Sequence, residues 1–188
     1  REVKGQFNYV TSVGMFEHVG KENLGLYFKK VHDFLKPEGR ALIHGITGQH
    51  EGAGVDPFLN EYIFHGGYIP NVAENMKHIM DAGMQMSDLE PLRRHYQKTL
   101  EIWYANYTKV IDHVKEKYGV PFARMWGMYL QASAASFEAG NIDVMQYLLT
   151  NSPSGTGLPM MHQYVYHACL LYISPSPRDA HESRMPSS

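Results

Sequence analysis

A strand-helix-strand pattern near the amino end puts the tightest constraint on how this chain can fold. Phe7-Asn8-Tyr9-Val10-Thr11-Ser12-Val13 and Ala41-Leu42-Ile43-His44-Gly45-Ile46 are short, apolar and rich in β-branched residues, as buried strands are. Between them Leu24, Tyr27, Phe28, Val31, Phe34 and Leu35 recur at helical spacing, and Pro37 and Gly39 read as the helix stop. Strand, helix and strand within about forty residues form a βαβ unit. Its crossover is right-handed, so the strands run parallel and their tips lie on one side. The first tip leads into Val13-Gly14-Met15-Phe16-Glu17-His18-Val19-Gly20, and the second ends on His44. In open α/β sheets, ligands bind beyond the carboxyl ends of the strands. Glu17 and His44 are therefore expected to meet at one site.

Residues 47–87 hold Gly48, Gly52, Gly54, Pro57, Gly66, Gly67 and Pro70, too many breakers for a long regular element. They are expected to form an insertion lying over the site. Pro91 suits only a first helical turn, which predicts a helix starting within Ser87 to Pro91. That helix runs through Leu92, Tyr96, Leu100, Trp103, Tyr107 and Val114 and ends at Gly119-Val120-Pro121. Another is predicted from near Phe122 to Ala139, stopping at Gly140. Ile142 to Leu149 reads as a strand returning to the sheet, with Val144 and Met145 on opposite faces. Residues 150–168 form an extension that matches no pattern.

A chain of 188 residues is long enough for one domain with a sizeable core. Its net charge of -2 gives no electrostatic case for nucleic acid as a partner, and no run approaches the length of a membrane-spanning helix. Cys169 is the only cysteine, which removes disulfides and argues against cysteine catalysis. The histidines show no HExxH or similar ligand pair, so no metal site is expected.

Six blocks in order carry a resemblance. Gly14-Met15-Phe16-Glu17-His18-Val19-Gly20-Lys21 comes first, then Leu42-Ile43-His44-Gly45-Ile46 and Asp56-Pro57-Phe58 with Tyr62-Ile63-Phe64. Trp103-Tyr104, Phe122-Ala123-Arg124-Met125-Trp126 and Met145-Gln146-Tyr147-Leu148-Leu149 follow. Over residues 1–149 the chain resembles the cyclopropane-fatty-acyl-phospholipid synthases, which are S-adenosylmethionine-dependent methyltransferases. The resemblance implies an α/β fold: the carboxyl-terminal part of a Rossmann-like class I methyltransferase sheet, with a helical insertion. The implied reaction adds a methylene across the cis double bond of a membrane phospholipid's acyl chain. It takes S-adenosylmethionine as methyl donor and a bound bicarbonate ion as base. A cytoplasmic protein peripheral to the membrane is expected, with a homodimer as a further expectation. The alternatives are a methyltransferase of the same fold and cofactor that leaves a methyl- or methylene-branched acyl chain or methylates a small amine, and a non-catalytic lipid-binding homologue.

Carried over motif by motif, the bicarbonate ligands fall on Glu17, His44, Tyr104 and the backbone of Ile46, with Glu17, His44 and Tyr104 catalytic. Gly14 and His18 fall beside the cofactor. Each residue also has a plainer reading. Glu17 could serve a helix start, His44 could be a core histidine bonded to backbone, and Tyr104 could simply pack. His18 either orients Glu17 or lines the cofactor pocket. Ser133 stands where the family often carries a cysteine; a hydroxyl is a weaker nucleophile than a thiolate, and packing is its expected role. Phe16, Tyr62 and Phe64 could face a cation. Met76, Met80, Met84 and Met86 could form a soft acyl-binding patch or pack a helix face, and Arg93 and Arg94 could meet a phosphate or face solvent.

The family's glycine-rich cofactor loop, its ribose-binding acid and its cysteine-bearing segment are not found in this sequence, so the chain reads as a fragment expected to bind the cofactor poorly and to expose an apolar sheet edge beside the Phe7 to Val13 strand. At the other end, residues 169–188 read like a translated sequencing-library adapter with its index and are expected to be disordered.

Overall fold

Four strands, β1 (Phe7–Val13), β2 (Leu35–Gly48), β3 (Gln85–Pro91) and β4 (Ile142–Thr150), form one sheet in the order β1-β2-β4-β3. The computed structural model describes residues 3–50, 55–152, 158–161 and 163–165. Residues 1–155 form one compact unit, which holds every element below, and residues 156–188 form a second. The adapter-like segment and Cys169 lie outside the described residues.

The βαβ unit is present. Helix α1 (Leu24–Asp33) links β1 to β2, and the two strands pair in parallel, with Val13 opposite His44. The helix is shorter than its spacing predicts. Phe34 caps it through a bond from its N–H to Lys30 O (3.1 Å), and Leu35 already opens β2. Pro37 and Gly39 mark an irregularity inside the strand and do not stop the helix. Phe7 pairs with Leu35 but Tyr9 pairs with Arg40, so extra residues bulge out between them. Glu38 takes φ 63 there, and Ser152 Oγ donates to its carboxylate at 2.6 Å. A Cβ on Gly39 would stand 2.8 Å from Lys36 O, which is why glycine occupies this position.

β1 departs from the buried strand that its composition suggests. It is an edge strand, and Phe7, Tyr9 and Val13 are 43%, 71% and 66% exposed. Only Val10 and Ser12 turn inward, and Ser12 accepts a 2.7 Å bond from Tyr27 Oη.

The segment before α4 is also different. Gln85–Pro91 forms a strand, and α4 (Arg93–Tyr118) begins two residues after Pro91. A proline lacking its N–H is tolerated at the end of an edge strand as well as in a first helical turn, and Met86 and Leu89 pack on the core from this strand. Within the insertion, α2 (Pro57–Tyr62) is capped by Asp56 and α3 (Val72–Asp81) by Asn71, whose Oδ1 accepts from Glu74 N at 2.8 Å. The breakers flank α3, so this ten-residue helix forms where no long element is expected.

Two apolar layers sandwich the sheet. Phe28 of α1 and Ile79 of α3 are fully buried with Ile43 and Tyr147 in one; Leu100 of α4 and Leu130 and Phe137 of α5 (Val120–Glu138) occupy the other. Val144 joins the second layer and Met145 the first, as the alternation predicts. In the first layer the Tyr147 hydroxyl takes a 3.1 Å bond from Asn75 Nδ2 and lies 3.2 Å from Thr47 Oγ1, so this buried polar group is satisfied.

Candidate active site

The site grows from the way the chain leaves β1. Gly14 takes φ 61, in the left-handed region that favours glycine, and its N–H donates to His44 O at 2.8 Å. A 3₁₀ turn (Phe16–His18) follows and sends Phe16 into the core, 1% exposed, with Glu17 buried beside it at 7%. The phenyl ring meets Tyr147 edge-on at 6.2 Å. Glu17 lies against the backbone of β2, where the Ile46 N–H donates to Oε1 at 3.2 Å. Its other oxygen, Oε2, is buried with no hydrogen-bond partner among the described residues. A buried polar atom without a partner is costly and is retained at functional sites.

Beside this carboxylate is a hollow of about 80 Å³. Glu17, His18 and Ile46 line its sheet side, Phe64 and Ile69 its insertion side, and Tyr96, Tyr129 and Ser133 its helical wall. The insertion is tied down over it by a bond from Tyr68 N to Glu17 O (3.1 Å). The electrostatics follow from burial. Burial chiefly, with the Glu17 charge adding to it, raises the pKa of the Tyr96 phenol. Tyr129 is raised by burial and then by Tyr96. Tyr27 is pushed up to about 12 by burial, against the Ser12 hydrogen bond and with some help from Glu17. These phenols stay neutral at ordinary pH, and a neutral phenol can donate its proton in a hydrogen bond.

Glu17, His18, Ile46 and Ser133 thus share one hollow. His44 is half-buried on β2 next to it and faces β4, where Gln146 Nε2 approaches its Nδ1 at 3.2 Å; it is not among the residues lining the hollow. Tyr104 lines a separate open depression between α4 and α5 with Tyr107 and Gly127. Two tyrosines that the motif comparison passes over, Tyr96 and Tyr129, occupy the wall instead. The signal for Tyr96 was present in the sequence, as it lies on the apolar stripe of α4 two helical turns before Tyr104. Among the other candidates, Tyr62 is 53% exposed; Met84 is buried in the first core layer with Met76 and Met86 packed against that layer, as the packing reading has it, and Met80 is 61% exposed. Arg93 Nε lies 3.9 Å from Asp143 Oδ2, and Arg94 is exposed.

A parallel β1-β2 pair carrying an acid at its tip, followed by an antiparallel β4 inserted between β2 and β3, forms part of a Rossmann-like class I methyltransferase sheet. A mycolic acid cyclopropane synthase structure described as complexed with SAH and CTAB superposes with a TM-score of 0.73 at 26% identity, covering 79% of this chain and 57% of that one. The chain belongs to the mycolic acid cyclopropane synthetase family, whose model matches residues 1–147. It is 37% identical over 149 residues to a probable fatty acid methyltransferase of Pseudomonas putida, covering 77% of this chain and 38% of that protein. It is 35% identical over 150 residues to the cyclopropane-fatty-acyl-phospholipid synthase of Escherichia coli K12, covering 80% and 39% respectively. The chain therefore spans about two-fifths of the length of these curated relatives.

Proposed function

We propose that the protein carrying this site transfers a methylene unit from S-adenosylmethionine to the cis double bond of an unsaturated phospholipid acyl chain, working in the cytoplasm at the membrane surface. The observation that carries the reading is the buried Glu17 carboxylate, whose Oε2 has no partner among the described residues, on a residue lining a hollow whose other walls are largely apolar and aromatic. Attack by an alkene on a methyl donor leaves a carbocation, which water would quench. A dry pocket with one oriented acid suits that chemistry.

S-adenosylmethionine supplies an electrophilic methyl group when bound. Gly14 and His18 stand beside Glu17 and would face it, and the SAH of the related synthase structure is that donor after loss of its methyl. A bicarbonate ion would supply the base that takes the proton from the new methyl group. The free Oε2 of Glu17 fits as acceptor for the hydroxyl of such an ion, while the Ile46 N–H holds Oε1 in place. Tyr96, a neutral donor on the facing wall, suits an anion better than Tyr104, which lines the other depression. His44, on the neighbouring strand β2 where it pairs with Val13, completes the proposed ligand set. The faces of Phe64 and Tyr129 would stabilise the carbocation by roughly 0.5–2 kcal/mol.

The similarity to a probable fatty acid methyltransferase favours a second outcome on the same site, a methyl-branched chain in place of the ring. Replacing the matched segment of the Escherichia coli synthase with residues 1–150, in cells lacking their own synthase, tests both. Cyclopropane acyl chains in the extracted lipid support the reading, and methyl-branched chains favour the second. A folded chimera that alters no lipid overturns it.

A further inference from the structure

We propose that the corner between α4 and α5 is the surface by which this protein docks on a phospholipid bilayer. The inference rests on the lipid-substrate reading above and names the face that meets the lipid. Helix α4 ends at Tyr118, Gly119 turns the chain at φ 87, and α5 starts at Val120. Tyr118, Val120 and Phe122 are 55%, 46% and 37% exposed at this corner, and the rings of Tyr118 and Phe122 pack at 5.2 Å. A single exposed apolar residue is ordinary. Clustered aromatic residues ringed by basic ones have the composition of a membrane-interface anchor.

The charge fits that partner. Residues 109–124 hold Lys109, Lys115, Lys117 and Arg124 against Asp112 and Glu116, in a chain whose net charge is -2. The corner is thus locally cationic and complementary to anionic headgroups. Lys117 Nζ lies 5.1 Å from the centre of the Tyr118 ring, so charge and apolar surface occur together.

Continuity with the site is the second, independent observation. From the corner a row of rings runs inward along α5. Phe122 stacks on Trp126 at 6.1 Å, Trp126 meets Tyr129 at 5.1 Å, and Tyr129 meets Phe64 at 5.9 Å. The last two line the Glu17 hollow. Phe122 and Tyr129 are roughly 10 Å apart along a helix rising about 1.5 Å per residue. One leaflet of a hydrocarbon core about 30 Å thick is ~15 Å deep, so a chain whose headgroup rests at the corner reaches that far.

Another exposed apolar surface, β1 with Tyr9 and Val13, is an open sheet edge. Its free backbone groups would find no partners in hydrocarbon. At the corner one helix follows the other directly, with Gly119 N bonded to Lys115 O and Ala123 N to Gly119 O, so no strand edge is presented there.

Flotation of the full chain with vesicles of phosphatidylcholine and phosphatidylglycerol tests the proposal. Tyr118→Ser with Phe122→Ser, and separately Lys117→Glu with Arg124→Glu, should each weaken vesicle binding by about tenfold or more. Tyr9→Ser with Val13→Ser should leave binding unchanged. Because a corner variant could unfold, Trp126 emission supplies a second readout in Trp103→Phe, where a blue shift on vesicle addition and quenching by brominated acyl chains are expected. The proposal is overturned if wild type does not bind, if the corner variants bind as wild type does, if the β1 variant loses binding, or if Trp126 emission stays unchanged. Corner-dependent binding by a chain whose chimera alters no lipid would sink the catalytic reading and leave the docking surface standing.

Discussion

A Cβ on Gly45 would stand 2.7 Å from Glu17 Oε2 and 2.6 Å from Phe16 Cε1. The bare strand backbone at this point lets the acid and the ring beside it settle onto β2. Gly45→Ala should therefore push both away. The clash with a ring that is 1% exposed should cost about 1–3 kcal/mol, as overpacking does. A urea melt reads that loss, and the chimera's lipid-modifying activity should fall with it. Unchanged stability would mean that Phe16 has room the geometry does not show.

Glu17→Gln separates charge from shape. The amide oxygen can still accept from the Ile46 N–H, so the fold should keep its melting temperature. Turnover in the chimera should drop about a hundredfold or more, the scale of a lost proton-handling group. Glu17→Ala would instead strand the Ile46 N–H and cost about 1–3 kcal/mol. A Gln variant with full activity would remove Glu17 from the chemistry.

Tyr96 and Tyr104 give a paired test of which phenol serves the site. Tyr96 lines the hollow and is influenced by Glu17, while Tyr104 lines the separate α4–α5 depression. Tyr96→Phe should reduce methyl transfer by about tenfold or more and weaken its dependence on added bicarbonate, since one hydrogen bond to a charged partner is worth ~1.5–3 kcal/mol. Tyr104→Phe should behave as wild type. The reverse pattern would restore the assignment that the Trp103-Tyr104 motif suggests.

The contrast between these tyrosines shows how far the sequence could be read. Periodicity identifies the face of a helix that turns inward, and it placed Tyr96 and Leu100 on the apolar stripe of α4, while Tyr104 was singled out by its motif alone. It does not give height along the axis relative to the strand tips, and that height decides which hydroxyl reaches Glu17. The parallel β1-β2 pair was legible because strand and helix periods alternate cleanly across it. The strand Gln85–Pro91 was not, since a proline fits an edge-strand end and a first helical turn equally well. Helix α3 was hidden by counting breakers over forty residues when the stretch between Pro70 and Gly83 contains none. The apolar edge expected beside Phe7–Val13 is present, although the composition of residues 7–13 by itself reads as a buried strand and carries no record of which strands pair with it.

Asp143 offers a pH test of the fold beneath the site. It is 2% exposed, and burial raises its pKa against the opposing pull of Arg93 and of backbone N–H groups. The folded state therefore holds this proton more tightly than the unfolded chain, whose aspartates titrate near ~3.9. The group's contribution is most favourable at or below that unfolded value. It declines as pH rises through the raised folded value and is constant above it. Asp143→Asn removes the titration while keeping the side chain's shape. Urea midpoints for wild type and variant, taken from about pH 4 to neutrality, should diverge in the variant's favour as pH rises through the raised folded value and then keep a fixed separation. A constant difference across that range would show that Asp143 titrates alike folded and unfolded, with Arg93 and the backbone donors offsetting its burial.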